Sequence, residues 1–502
     1  MQKRYIPILA QLALFLLFFA FMALIQFTSS DMPDNDGFYH IKLSYLMRTE
    51  GLKPEFYWLP QSILNQNEFY DHHFLFHVAL MPFTFGDLRV GAKWAAVTFA
   101  SIAFLAIWLL FKRQKIPLAW LWAIGLLGIS DAFLYRMSIT RAQSLSLAVL
   151  ALACIYLLER KHIHLAVLSF IYVWLYNAFP LIVALSVVHF VAVFLVERRF
   201  DYRPMIFVVG GVLAGVLLNP YFPNNITFSI HHILPKLTDA TSVRVGNEWF
   251  PYETGQLLKN SLPALVAFSC GILALGLSGR RMDIRTAFAL LATLLFGLML
   301  FQARRFVEYF PPFALIFTAF AFAPLFPDSQ PDPNSNEKIP RWEFSSFLQE
   351  NFALIFLAIV VATGIVRTIP NARDAIETSK PYDLYAGASE WLKLNTPENS
   401  LVFQTDWDDF PRLFFYNTHN TYLIGLDPTY MQIYDPSLYN LWVQVTRGEI
   451  KNPSTIILNS FDARYVHSDL KHEEFLAVAG DDPGLKEVYR DKDAIIFEVI
   501  LP

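Results

Sequence analysis

Five stretches of the 502-residue chain carry side chains whose types and spacing could do chemistry. In "NDGFYHIKLSYL", Asp36 and His40 stand one helical turn apart. A carboxylate beside an imidazole can take the proton from a nucleophile. In "EFYDHHFLFH", Asp71, His72 and His73 are residue types that ligate a divalent metal. Adjacent side chains on a helix diverge by about 100 degrees, so one of the two histidines must point away. Arg304 and Arg305 in "QARRFVEYFPP", with Arg136 and Arg141 in "DAFLYRMSITR", offer guanidinium forks of the kind that grip phosphate. Glu248 stands in "VGNEWFPYET" within a long loop. Each group also has a plainer reading. Asp36 could offset the dipole of a helix beginning near Gly37, and the histidines could sit at the interface where a span starts. The arginines could be snorkelling anchors, and Glu248 a solvated loop acid.

The elements that must position these groups are mostly membrane spans. The chain is 55% hydrophobic and only 16% charged, well to the apolar side of a soluble enzyme. Its apolar runs recur at roughly 17 to 22 residues, the length a helix needs to cross hydrocarbon. The reading is a polytopic α-helical membrane protein with about eleven transmembrane helices. They fall near 6–28, 74–85 extended by 91–111, 116–130, 143–158, 163–176, 179–196, 204–218, 261–278, 285–301, 309–326 and 352–368. The first run follows Lys3 and Arg4 and has no small-residue cleavage site, so it reads as a retained span. The basic clusters "FKRQK", "ERKHIH", "ERRFDYR" and "SGRRMDIR" follow alternate spans, as cytoplasmic loops should. The N-terminus is then cytoplasmic and the C-terminus outside, in a plasma (inner) membrane. Residues 327–341, rich in Pro, Asp and Asn, read as a flexible cytoplasmic connection.

Residues 1–369 thus form the transmembrane domain, with external loops 29–73 and 219–260, and residues 370–502 a C-terminal soluble α/β domain. Helices are expected at "LYAGASEWLKLN" and "HEEFLAVAG", and strands at "SLVFQTD", "ARYVHS", "LKEVYRD" and "AIIFEVI". All the chemically capable stretches fall on the outer face in this topology. Charges next to hydrocarbon are costly and tend to mark substrate routes. Cys154 and Cys270 sit in apolar runs and read as small hydrophobes. A net charge of -4 gives no case for nucleic acid. No phosphate-binding glycine loop or dinucleotide fingerprint is present.

Residues 387–427, "GASEWLKLNTPENSLVFQTDWDDFPRLFFYNTHNTYLIGLD", resemble the region around the WWDYG signature of the oligosaccharyltransferase catalytic subunits. "NDGFYHIKLSYL" resembles that family's first external loop, "VGNEWFP" its external-loop glutamate motif, and "ARRFVEYFPPF" its Arg-Phe start of a late span. The resemblance implies a GT-C-like fold. It also implies a membrane glycosyltransferase that moves a sugar or glycan from a polyprenyl phosphate or pyrophosphate carrier to a protein or glycan acceptor outside. By that resemblance Asp36 is a catalytic or metal-linked carboxylate and Glu248 orients the acceptor. Arg304, Arg305, Arg136 and Arg141 bind the donor phosphate, and Trp407 and Asp408 face the acceptor.

Two departures bear on these roles. The signature here reads Asp406, Trp407, Asp408, Asp409, Phe410, so the peptide-sequon pocket does not carry over. The family's second acidic pair is replaced in "RMSITRAQSLSL" by Gln143 and Ser144. Either a divalent metal (Mg or Mn) is held by Asp36, Asp71, His72 and His73, or no metal is used, which is the version the missing carboxylates favour. The rival readings are a transporter or flippase of lipid-linked sugars, disfavoured by nearly charge-free span centres, and a non-catalytic GT-C-like scaffold.

Overall fold

The computed structural model describes residues 2–238, 246–326 and 346–500; the connection expected at 327–341 lies outside them. Two compact units are formed from interleaved parts of the chain. Met1–Ser29, Lys93–Gly215 and Glu248–Thr378 make the first, and Ser30–Ala92, Val216–Asn247 and Ser379–Pro502 the second.

The first unit is helical and holds most of the apolar runs. Among the described residues six helices are long and apolar enough to cross a membrane: Ile8–Gln26, Leu88–Arg113, Pro180–Glu197, Thr254–Ser278, Ile284–Gln302 and Phe352–Glu377. Asp131–Ser138 and Gln143–Leu158 form a further pair, bent by 110° at the break between them. Phe74–Phe83, His162–Leu175, Arg203–Leu217 and Phe310–Leu325 are apolar but shorter. Leu273 and Leu277 on Thr254–Ser278 are 66% and 78% exposed, as side chains facing lipid would be.

The stretch expected as a span at 116–130 folds instead as a short helix, Ala119–Ile124, running into a 3₁₀ turn, Gly125–Leu127. Gly128 ends that turn, and Ser130 starts a new helix by accepting from the Phe133 amide at 3.1 Å. "DAFLYRMS", expected as an external turn, is therefore the helix Asp131–Ser138. Gly128 lies against Gly364 of the helix Ser346–Glu377, where glycine lets two backbones touch. Thr368 donates to the Leu127 carbonyl in the same crossing.

The second unit is built on a five-stranded sheet. Its strands are β1 (Leu401–Gln404), β2 (Thr421–Tyr422), β3 (Tyr465–Asp469), β4 (Leu485–Arg490) and β5 (Ala494–Val499), in the order β2-β1-β3-β5-β4. β1 runs parallel to both β2 and β3, and β5 is antiparallel to β3 and β4. Helices Ala386–Asn395 and Glu473–Asp481 stand where the sequence places them. Residues 30–73 belong to this unit as well. Trp58 donates through Nε1 to the Thr418 carbonyl at 3.0 Å, and its own carbonyl accepts from Tyr422 at 2.8 Å. Phe56, Trp58 and Phe414 pack ring on ring beneath.

A Cβ at position 364 would come within 2.7 Å of the Gly128 carbonyl oxygen, whereas one at Gly210 meets nothing within 4 Å. Gly364→Val is expected to destabilise the protein by about 1–3 kcal/mol and Gly210→Ala to leave it unchanged or firmer, as read by thermal unfolding in detergent. Equal midpoints for the two variants would contradict the crossing.

Candidate functional site

Two polar centres emerge, one in each unit. In the first, the break between Asp131–Ser138 and Gln143–Leu158 turns Arg136 and Arg141 towards two short 3₁₀ turns, Asn247–Trp249 and Arg304–Glu308. Arg136 donates through Nε to Glu308 Oε1 at 2.7 Å, again through Nη2 to the same oxygen, and through Nη1 to Glu248 Oε2 at 2.9 Å. Arg141 reaches the same Glu248 oxygen at 3.2 Å. Arg305 stands 3.7 Å from Glu248 Oε1, donates to the Tyr176 hydroxyl at 2.8 Å and lies over the Trp249 ring. Arg304 is held by the Pro251 carbonyl at 3.1 Å and lies over Tyr252.

This geometry refines the expectation for Glu248. Burial works to raise its pKa, but the guanidiniums of Arg136, Arg141 and Arg305 outweigh it and hold the carboxyl well below the usual range. Such a carboxylate is a poor proton acceptor; what it can do is fix three arginines. Glu308, which the sequence reading left out, is fully buried. The signal was available: an acid three residues after an arginine pair, inside an apolar run, needs a charged partner. Gln143 and Ser144, at the positions of the missing acidic pair, donate to the carbonyls of Arg136 and Met137. They tie down the C-terminal end of the helix that carries Arg136.

In the second unit Asp36 opens the helix Asp36–Glu50, which ends at Gly51 with φ 114°, a backbone that suits glycine. Asp36 is half-buried. Its charge adds to burial in holding the phenols of Tyr39 and Tyr430 above their ordinary range. The residue before it, Asn35, makes no helix cap because its amide is spent elsewhere. Asn35 Nδ2 donates to Asp408 Oδ2 at 2.7 Å, and Asn35 Oδ1 accepts from the buried Arg412 Nε at 2.8 Å. The opening stretch is thereby joined to the segment after β1. Asp406, Trp407 and Asp408 follow the carboxyl end of β1, where parallel neighbours depart to either side. This is the switch point at which open α/β sheets take ligands.

Among the described residues no group of three or more His, Cys, Asp or Glu is arranged to hold a metal ion. The buried Asp71 accepts from the His73 backbone at 3.0 Å and lies 2.7 Å from His77 Nδ1, and His77 Nε2 lies 2.8 Å from His40 Nδ1. Asp71 accepts from His77, and the tautomers set which ring donates between His77 and His40. The side-chain partner of Asp71 in this hydrogen-bonded chain is His77, rather than its neighbours His72 and His73.

No protein-family model matches the chain, and no curated protein matches it in sequence. Solved structures match its fold. The archaeal oligosaccharyltransferase AglB from Archaeoglobus fulgidus, in complex with an inhibitory peptide and a dolichol-phosphate, aligns with a TM-score of 0.65 at 12% identity. That alignment covers 98% of this chain and 75% of AglB. ArnT from Cupriavidus metallidurans, bound to undecaprenyl phosphate, aligns at 0.57 and 14% identity over 98% of both chains. The mycobacterial arabinofuranosyltransferase AftD gives 0.57 and 15% over 97% of this chain and 41% of its own. The fold is that of the GT-C membrane glycosyltransferases. In fold the chain is similar to the oligosaccharyltransferase catalytic subunit.

Two measurements test the second centre. Asn35→Ala removes an acceptor from a buried guanidinium and is expected to cost about 1–3 kcal/mol in thermal or denaturant unfolding; no loss would contradict the joint. The second concerns His472, whose Nδ1 is 2.5 Å from Asp469 Oδ1 at the end of β3. Burial opposes the charged ring, but the bond to Asp469 raises His472 above its ordinary 6.5. Asp469, despite burial, is held below 3.8 by the same bond. The histidine's contribution is complete below about pH 6.5 and fades as pH rises through the raised value; the carboxylate's is complete above about pH 3.8 and fades as pH falls through the lowered one. His472→Gln should therefore lose most stability relative to wild type between about pH 4 and 6.5, and a difference independent of pH would contradict the pair.

Proposed function

We propose that the protein is an integral membrane glycosyltransferase of the GT-C type. It moves a sugar or glycan from a polyprenyl phosphate or pyrophosphate carrier to an acceptor on the extracytoplasmic face. The observation that carries this reading is the convergence of Arg136, Arg141 and Arg305 on Glu248 in the unit that holds the candidate spans. Neighbours of the same fold hold dolichol-phosphate and undecaprenyl phosphate, which supports a polyprenyl-linked donor.

In this reading the bond between the anomeric carbon and the phosphate oxygen breaks while the acceptor's nucleophile bonds to that carbon. The leaving phosphate gains a negative charge, which Arg305, Arg304 and Arg141 stabilise, and fixed guanidiniums do so without reorganising. Glu248 keeps them in place and helps to orient the acceptor. Asp36 receives the acceptor's proton, as a positioned carboxylate can. Trp407 and Asp408, at the sheet's switch point, bind the acceptor. The N-terminus is cytoplasmic, and the domain at 370–502 stands outside with the external loops 29–73 and 219–260.

Purified protein in nanodiscs with radiolabelled polyprenyl-linked sugar and a membrane extract as acceptor source tests this. Transfer by Asp36→Ala and Arg305→Ala is expected to fall about 100-fold each. Undiminished transfer in both would overturn the site, and movement of intact donor across the bilayer with no sugar transferred would make the protein a transporter.

A further inference from the structure

Arg305 is aimed by neutral groups. Among the described residues its guanidinium makes one hydrogen bond, from Nη2 to the Tyr176 hydroxyl at 2.8 Å. Glu248 Oε1, at 3.7 Å, is beyond hydrogen-bond reach, and the Trp249 ring centroid lies 4.2 Å from the guanidinium carbon. Arg136, in contrast, makes its side-chain bonds to the carboxylates of Glu308 and Glu248. A bond to a hydroxyl sets the direction of a guanidinium without delivering it to an anion, and most of its five N–H donors stay available.

Tyr176 is itself held in place. It is 6% exposed and closes the C-terminal end of the helix His162–Leu175, where its amide donates to the Tyr172 carbonyl at 3.1 Å. Its own carbonyl accepts from the Phe179 amide at 3.2 Å. One turn earlier, the Tyr172 hydroxyl is bonded to Ser146 Oγ, which is also bonded to the Tyr309 hydroxyl at 2.8 Å. Tyr309 directly follows the turn Arg304–Glu308. The helix that ends at Tyr176 and the turn that carries Arg305 are therefore tied together twice, once through Ser146 and once through the bond between Tyr176 and Arg305.

Resting on the donor reading above, we infer that Tyr176 is a positioning residue for phosphate recognition, holding Arg305 by a neutral bond and off the carboxylate of Glu248. Without the hydroxyl the guanidinium can close the 3.7 Å gap to Glu248 Oε1. A bond there is charge-assisted and stronger than the one it replaces. Arg305 would then become one more member of an ion pair, and the phosphate would have to compete with Glu248 for it. Tyr176 touches neither donor nor acceptor in this scheme and acts only through Arg305.

The test measures binding of two sugar-free probes, farnesyl phosphate and farnesol, to the full-length protein in nanodiscs. Wild type is expected to bind the phosphate more tightly. Tyr176→Phe should weaken farnesyl phosphate about tenfold and leave farnesol within about twofold. In an Arg305→Ala background the same change should cost less than about twofold, because a residue that acts through Arg305 has nothing left to act on. An unchanged phosphate affinity in folded Tyr176→Phe overturns the inference, as does an equal loss for farnesol or an equal loss in the Arg305→Ala background. If either variant does not fold, an electron cryomicroscopy structure of wild type with farnesyl phosphate decides. Arg305 bound to the phosphate and to the Tyr176 hydroxyl together supports the inference, and Arg305 turned away from Tyr176 overturns it. Equal wild-type affinities for the two probes overturn the donor reading itself.

Discussion

Arg136 is gripped by Glu308 on one side and Glu248 on the other, and the arrangement of the first unit's polar centre depends on that grip. A charge at the end of an apolar bundle needs partners, and removing one member of a buried pair typically costs about 3–5 kcal/mol. The grip fixes three pieces of chain far apart in sequence: the helix Asp131–Ser138, the turn Asn247–Trp249 and the turn Arg304–Glu308. Arg141 and Arg305 then share the carboxylate that Arg136 has immobilised. Preorganised guanidiniums of this kind are what a departing phosphate requires.

The second unit has its own joint, at Asn35. One amide side chain holds Asp408 and Arg412 together immediately before Asp36 begins its helix. Arg412 is fully buried, donates to the Pro381 carbonyl at 2.6 Å and lies over the Phe38 ring. The stretch in which Asp36 stands and the segment after β1 are thus parts of one hydrogen-bonded structure, and a displacement of either disturbs the other. The histidine chain from Asp71 through His77 to His40 does similar work, tying the helix Phe74–Leu80 to the helix Asp36–Glu50.

Much of this was legible in the chain. Long apolar runs identify most of the long helices because hydrocarbon tolerates little else. The β-branched runs "LVFQT", "YVHS" and "AIIFEV" find β1, β3 and β5 by the same logic of burial. What escaped depends on distant partners or on short elements. β2 has two residues, too few for a pattern. The helices Pro428–Tyr434 and Pro436–Thr446 do carry a local signature that was passed over, an aspartate cap followed by proline. Asn35 and Arg412 could not be weighted from spacing, since each takes its meaning from a residue more than 100 positions away. Asp71 was read with its neighbours His72 and His73, whereas its histidine partner is His77, six residues on.

The central claim is that the arginine cluster of the first unit holds the phosphate of a polyprenyl donor. An electron cryomicroscopy structure of the protein in nanodiscs with added polyprenyl phosphate tests it most directly. The account predicts phosphate density within hydrogen-bond distance of Arg305, with Glu248 and Glu308 still bound to Arg136. Lipid phosphate resolved at another site, with the cluster vacant at saturating lipid, would contradict it.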